Sequence, residues 1–211
     1  MTLKKEYLNL PIKNISFNGK IPIKGGKGVD VKKVIEVYRN LRGFDSQKVN
    51  VLKEEKETLS QWADEIVKTF YDIVYGYEET YELVKDKSRD ALEKTLREWY
   101  LAIVSGEIDE KFWEKQWNVG LIHIAARVSN VYFIAMMNTI REIFTNKTLE
   151  TYSADKAKEL INAFNMITNI IISLVVEGYI EAFTSLSGMD KNLVNTLAQL
   201  GAQEIAQKKS E

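Results

Sequence analysis

The run Ala63-Asp64-Glu65-Ile66-Val67-Lys68-Thr69-Phe70-Tyr71-Asp72-Ile73-Val74 returns an apolar residue at positions 63, 66, 67, 70, 71 and 74. Steps of three and four place these side chains on one stripe of an α-helix, while a strand would need strict alternation. The same periodicity extends in both directions. Upstream, 31–41 sets Val34, Ile35, Tyr38 and Leu41 on one face, and Gly43 is the expected stop. Asp45-Ser46 offers an N-cap to a segment carrying Val49, Leu52, Leu59 and Trp62 that runs on to Gly76. Its length predicts a break near 58–60.

Downstream, a short piece covers 78–84. Ser88 is an N-cap for a helix with Ala91, Leu92, Thr95, Leu96, Trp99 and Ile103 on one stripe, ending at Ser105-Gly106. Asp109 opens the next helix, through Phe112, Trp113, Trp117, His123 and Ala126. A bend is expected at Ser129-Asn130, then a helix over 131–144. Ser153 caps a long one over 154–186, closed by Ser187-Gly188. A last amphipathic stretch holds Leu193, Leu197, Leu200 and Ile205.

Both prolines, Pro11 and Pro22, and Gly19, Gly25, Gly26 and Gly28 precede residue 31. Residues 1–30 read as a non-helical extension, either a hairpin around Asn18-Gly19 or an extended arm. The rest is proline-free, which fits an all-α chain. The organisation expected is an extension over 1–30, a helical domain over 31–188 and a helical tail or linker over 189–211.

Composition removes many chemistries. The 211 residues contain no Cys and one His. Disulfides, zinc-thiolate sites, Fe–S clusters and thiol nucleophiles are excluded, as is any two-His metal site within the chain. Lys+Arg at 29 against Asp+Glu at 30 is no nucleic-acid footprint, which requires a basic excess. The most apolar run, 166–176, is too short to span a bilayer and reads as a buried helix. No secretory signal is visible, and the expectation is a soluble cytoplasmic protein.

The lone His123 lies mid-helix, with Gly120 before it and Ala126 after it. Glycine inside a helix costs about 1 kcal/mol relative to alanine. Two explanations fit: small residues leaving room beside the imidazole for a flat ligand such as haem, or a tight helix crossing. Tyr71 needs a hydrogen-bond partner if buried. Thr95 interrupts an apolar stripe and is expected to bond back to the carbonyl one turn earlier.

Several segments resemble the globin-coupled sensor and protoglobin family, in the family's order. Residues 63–72 resemble its B helix, and Thr95-Leu96 with Trp99 its E helix. Ser105-Gly106-Glu107-Ile108-Asp109-Glu110-Lys111-Phe112 resembles the turn into the F helix. Val119-Gly120-Leu121-Ile122-His123-Ile124 resembles the stretch with the proximal His, and Val131-Tyr132-Phe133-Ile134-Ala135 the start of the G helix. Gly43-Phe44-Asp45 matches the joint after the family's extra N-terminal helix. The resemblance covers 31–186. One departure is the run Ala125-Ala126-Arg127-Val128-Ser129-Asn130, which lacks the proline usual at the F–G bend.

The resemblance implies a globin fold, a three-over-three helical sandwich with an extra N-terminal helix and a minimal D helix. It implies haem b with His123 as the iron's axial ligand and Gly120 and Ala126 beside it. Tyr71 would donate to a bound gas, Thr95 would supply a second polar contact, and Phe70, Leu92 and Leu96 would line the distal side. The function implied is reversible binding of O2, CO or NO for sensing or storage. Alternatives are a haem enzyme such as an NO dioxygenase, or a haem-free globin-like signalling module. With His123 on iron no acid–base His remains for peroxide cleavage, so a gas-binding protein is expected over an enzyme. A homodimer through the last two globin helices is also expected, with 166–176 and Met136-Met137 as apolar surface beyond the needs of one core. No nucleic-acid or membrane partner is expected.

Overall fold

The structure, a computed structural model, describes residues 31–208. The expectations for 1–30 lie outside the described residues. All regular elements among the described residues are helical. In chain order they are α1 (Val31–Arg42), a 3₁₀ turn (Ser46–Val49), α2 (Asn50–Glu54), α3 (Lys56–Ser60), α4 (Ala63–Gly76) and α5 (Glu78–Val84). They continue with α6 (Arg89–Val104), α7 (Glu110–Ala125), α8 (Asn130–Thr151), α9 (Ala154–Ser187) and α10 (Lys191–Lys208).

Helix starts follow local chemistry. A helix leaves its first N–H groups unpaired, and a short side-chain oxygen just before it satisfies one. Asp109 accepts from the N–H of Phe112 at 2.8 Å, and Ser88 from that of Ala91 at 3.3 Å. Ser129 does the same for Tyr132 at 3.4 Å, and Asp45 for Gln47 at 2.9 Å. Gly43 ends α1 at φ +62°, with Phe44 N–H returning to the Tyr38 carbonyl.

Three expectations are corrected. The break expected near 58–60 lies at 61–62, directly after that range, and a second one, not expected, falls at Glu55. Glu55 takes a hydrogen bond from Tyr152 and an ion pair from Lys156, both from the far end of the chain. The helix expected over 131–144 continues to Thr151, because no glycine or proline stops it. Leu41 does not share the inner face of α1; it is 77% exposed, while Val34, Ile35 and Tyr38 pack on the core.

The long α9 is the central element, packed along α7 and α8, while α4 packs on α6. Ile167, Ile170, Ile171, Leu174 and Val175 of α9 are fully buried. Each such side chain contributes roughly 1.5–3 kcal/mol by leaving water. Phe144 stacks on Phe164, ring centroids 4.0 Å apart, and Tyr100 donates to the Leu59 carbonyl at 2.8 Å. By length and apolarity alone α9 would pass as a membrane span, but half of that window lies inside the molecule. Within the run expected to offer surplus apolar surface, Met166, Ile172 and Val176 stay only partly buried, as does Met136. The other face of the run, with Ile167, Ile170, Ile171, Leu174 and Val175, feeds the chain's own core, and both Met136 and Met137 line a cavity.

A second, smaller apolar cluster, Val67, Tyr71, Val74 and Leu92, stands apart from the main core on α4 and α6. Arg89 of α6 ties these two helices by pairing with Asp72 of α4 at 2.7 Å, and it also pairs with Glu93 on its own helix at 2.6 Å. No helix intervenes between α5 and α6, only residues 85–88.

Candidate functional site

A cavity of about 200 Å³ is walled by α4, α6, α7 and α8. Its lining is almost wholly apolar. Of the residues singled out from the sequence, Phe70, Tyr71, Leu92, Thr95, Leu96, His123 and Ala126 all line it.

Gly120 does not, and its reading as a ligand-clearing residue is corrected. A Cβ there would lie 3.1 Å from Val175 Cγ2 and 3.2 Å from Val175 Cα. The missing side chain lets α7 cross closely over α9. The close approach is between two helices, the alternative that the sequence left open.

His123 is fixed through one ring nitrogen. Nδ1 lies 2.8 Å from the carbonyl oxygen of Val119, one turn earlier. A carbonyl only accepts, so Nδ1 carries the proton and Nε2 keeps a free lone pair. The ring also packs edge-on against Phe133, centroids 5.2 Å apart. Its half-exposed surface belongs to the cavity wall, and protein encloses it on the other sides. That burial pushes the imidazole pKa below its ordinary value; the nearby Lys87 charge adds to the shift and the Val119 hydrogen bond opposes it. The neutral, singly committed imidazole is the form that ligates a metal.

The backbone behind His123 is locked as well. Arg127 adopts the left-handed conformation at φ +62°. Its N–H bonds the Ile124 carbonyl at 3.0 Å, and Val128 N–H returns to the His123 carbonyl at 3.0 Å. This pair of bonds is a Schellman cap. Tyr179 of α9 donates to the Val128 carbonyl. Here an αL arginine and a cross-helix tyrosine shape the bend without proline.

Opposite His123, the two hydroxyls are committed. Tyr71 donates to the Leu92 carbonyl at 3.1 Å, and burial raises its phenol pKa, with Tyr75 and Glu93 adding to the shift. Thr95 donates to the Ala91 carbonyl at 2.9 Å, the back-bond expected from the sequence. Trp99, whose ring also reaches the cavity, gives its N–H to the buried Gln116 at 2.8 Å and so links α6 to α7.

Sequence reasoning did not assign several of the lining residues to this site. Val74, Val119, Phe133, Met136 and Met137 sit on the same helices at helical spacing from those it did. Thr80, Lys87 and Val128 come from short elements and bends whose approach only the fold determines. A larger cleft of about 1010 Å³ lies between α1, α8 and α9. Its three cations, Arg42, Lys48 and Arg141, face three carboxylates, Asp45, Glu142 and Glu159, and it contains no histidine. Among the described residues no cluster of His, Asp or Glu could hold a bare metal ion.

Comparison with known proteins bears on this geometry. The family model described as Protoglobin matches residues 32–185. The chain belongs to the protoglobin family. Among solved structures it is similar to the globin domain of the Geobacter sulfurreducens globin-coupled sensor. The TM-score is 0.63 at 19% identity, covering 70% of this chain and 96% of that one. A search of curated proteins gives no match. The fold is thus an all-α globin fold, with α1 as the extra N-terminal helix. Globins generally bind haem, and protoglobins are often dimeric.

Proposed function

We propose that this protoglobin binds haem b between α6 and α7, with His123 as its iron ligand, and takes up a diatomic gas on the Tyr71 side. The observation that carries the reading is the state of His123. It is neutral, oriented through Nδ1 by Val119, and lines an apolar cavity with Nε2 left to accept. A carbonyl accepting from the far ring nitrogen holds the tautomer and raises the basicity of the ligating nitrogen. Haem, when bound, supplies an iron centre at which such a gas binds reversibly.

The residues around it have separable tasks. Phe70, Leu92, Leu96, Met136 and Phe133 exclude water from the two faces. Ala126 keeps the space beside His123 open. Tyr71 is the intended donor to the gas, and for that its proton must leave the Leu92 carbonyl. Giving up one neutral hydrogen bond costs about 1 kcal/mol, which a polarised ligand as acceptor offsets. Thr95 adds a second polar group, held back in the same way by Ala91.

The test is a set of visible spectra of the purified protein as ferric, ferrous, CO and O2 forms. The reading expects a Soret band that moves on reduction and again with CO. A protein that stays colourless and takes up no added haem would overturn it.

A further inference from the structure

Helices α4 and α6 are clasped along an antiparallel seam. Asp64 of α4 pairs with Arg97 of α6, Tyr71 donates to the Leu92 carbonyl, and Asp72 pairs with Arg89. Residue numbers rise along α4 as they fall along α6. The Tyr71 hydroxyl therefore sits beside one ion-pair clasp and two helical turns from the other. Neither Asp72 nor Arg89 lines the cavity.

The near clasp is a network. Arg89 gives Nη2 to Asp72 Oδ1 at 2.7 Å and Nε to Glu93 Oε1 at 2.6 Å. Lys68 donates to the other Asp72 oxygen at 2.5 Å, and the Arg89 guanidinium lies 5.2 Å from the centroid of the Tyr75 ring. Arg89 and Lys68 hold the Asp72 carboxyl below its ordinary range. Exposed ion pairs taken singly contribute little, but a forked guanidinium in a chain of alternating charges has a fixed geometry. At the far clasp, Asp64 is 80% exposed.

Two effects of Arg89 converge on Tyr71. It fixes residue 72, so the phenol on residue 71 has little freedom to leave the cavity wall. It also pairs with Glu93, whose negative charge, after burial and Tyr75, strengthens the hold of the Tyr71 phenol on its proton. A cation on Glu93 offsets part of that charge and leaves Tyr71 a better donor.

We propose that Arg89 is a positioning residue: by pairing with both Asp72 and Glu93 it keeps the Tyr71 hydroxyl at the cavity as a donor, and so sets how well O2 is held relative to CO. The proposal rests on the haem reading above and adds the control of discrimination between gases. O2 is polarised when held at an iron centre and gains from a donor, whereas CO gains little.

The experiment times O2 and CO dissociation by stopped-flow in wild type, Arg89→Gln, Asp64→Asn, Tyr71→Phe, and Arg89→Gln combined with Tyr71→Phe. Arg89→Gln should release O2 about fivefold faster, the scale of one hydrogen bond, and CO at the wild-type rate. Asp64→Asn should change neither. In the Tyr71→Phe background, Arg89→Gln should add nothing. The same variants are unfolded in urea without haem. There Tyr71→Phe should lower the midpoint less in Arg89→Gln than in the wild-type chain, because the bond to Leu92 is already weakened. O2 release unchanged in Arg89→Gln, or speeded equally with and without the Tyr71 hydroxyl, would overturn the proposal, as would equal midpoint losses in the haem-free chain. A wild-type chain that takes up no haem would overturn the haem reading and the gas discrimination with it, and the haem-free midpoints would still decide whether Arg89 positions Tyr71.

Discussion

His123 and Val119 share a hydrogen bond of 2.8 Å between the imidazole Nδ1 and the backbone carbonyl one helical turn earlier. It decides which nitrogen holds the proton and which faces the cavity. It also ties the orientation of the ring to α7 itself, and the αL cap at Arg127 holds the end of that helix. Ring, helix and bend thus form one rigid support, on which the proposed single metal bond would rest.

The buried imidazole makes the haem-free chain sensitive to acid. Its pKa lies below the ordinary 6.5 in the folded state. Between the folded value and 6.5 the unfolded chain binds more protons than the folded one. Stability is therefore full above this window and falls as pH drops through it. Urea midpoints measured at pH 7.5 and 5.0 should fall further for wild type than for His123→Gln. Equal falls would show that the folded state does not disfavour the charged ring.

Gly120 should resist even the smallest side chain. A methyl there meets Val175 at 3.1–3.2 Å, including its Cα, which cannot swing aside. Overpacking costs about 1–3 kcal/mol, against about 1 kcal/mol regained from helix propensity. Gly120→Ala is expected to lose about 1 kcal/mol net in denaturant unfolding. A gain in stability would mean that α7 and α9 separate easily at this crossing.

Tyr71→Phe should separate two effects. Loss of the hydrogen bond to Leu92 costs about 1 kcal/mol of stability in the haem-free chain. In the haem-loaded protein it should also speed O2 dissociation, read by stopped-flow. An unchanged rate alongside the stability loss would assign Tyr71 to holding α4 on α6 and nothing more.

Much of this was readable locally. Ser88 and Asp109 cap the helices they precede, because an N-cap needs only a short polar side chain at one position, whereas Ser153, read the same way, precedes α9 without a side-chain cap bond. Gly43 and Gly188 mark stops through positive φ. Tyr71, Leu92, Leu96 and His123 meet at one cavity because helical spacing already placed each on an inner face. Features made by distant residues were not readable. The break at Glu55 stands where its carboxylate meets Tyr152 and Lys156, about a hundred residues away. The role of Gly120 depends on Val175, and its neighbours in sequence fit a ligand space equally well. The commitment of Tyr71 to Leu92 depends on the packing of α4 against α6.

The claim that His123 alone holds the iron is tested most directly by a haem titration of wild type, His123→Ala, and His123→Ala with free imidazole. Soret absorbance and the CO-difference spectrum are the readout. Wild type should give a saturable Soret band and a ferrous CO form of a histidine-ligated haem. His123→Ala should lose both, and imidazole, diffusing into the space left beside Ala126 and Phe133, should restore them. A His123→Ala protein with the wild-type spectrum and CO form would contradict the account.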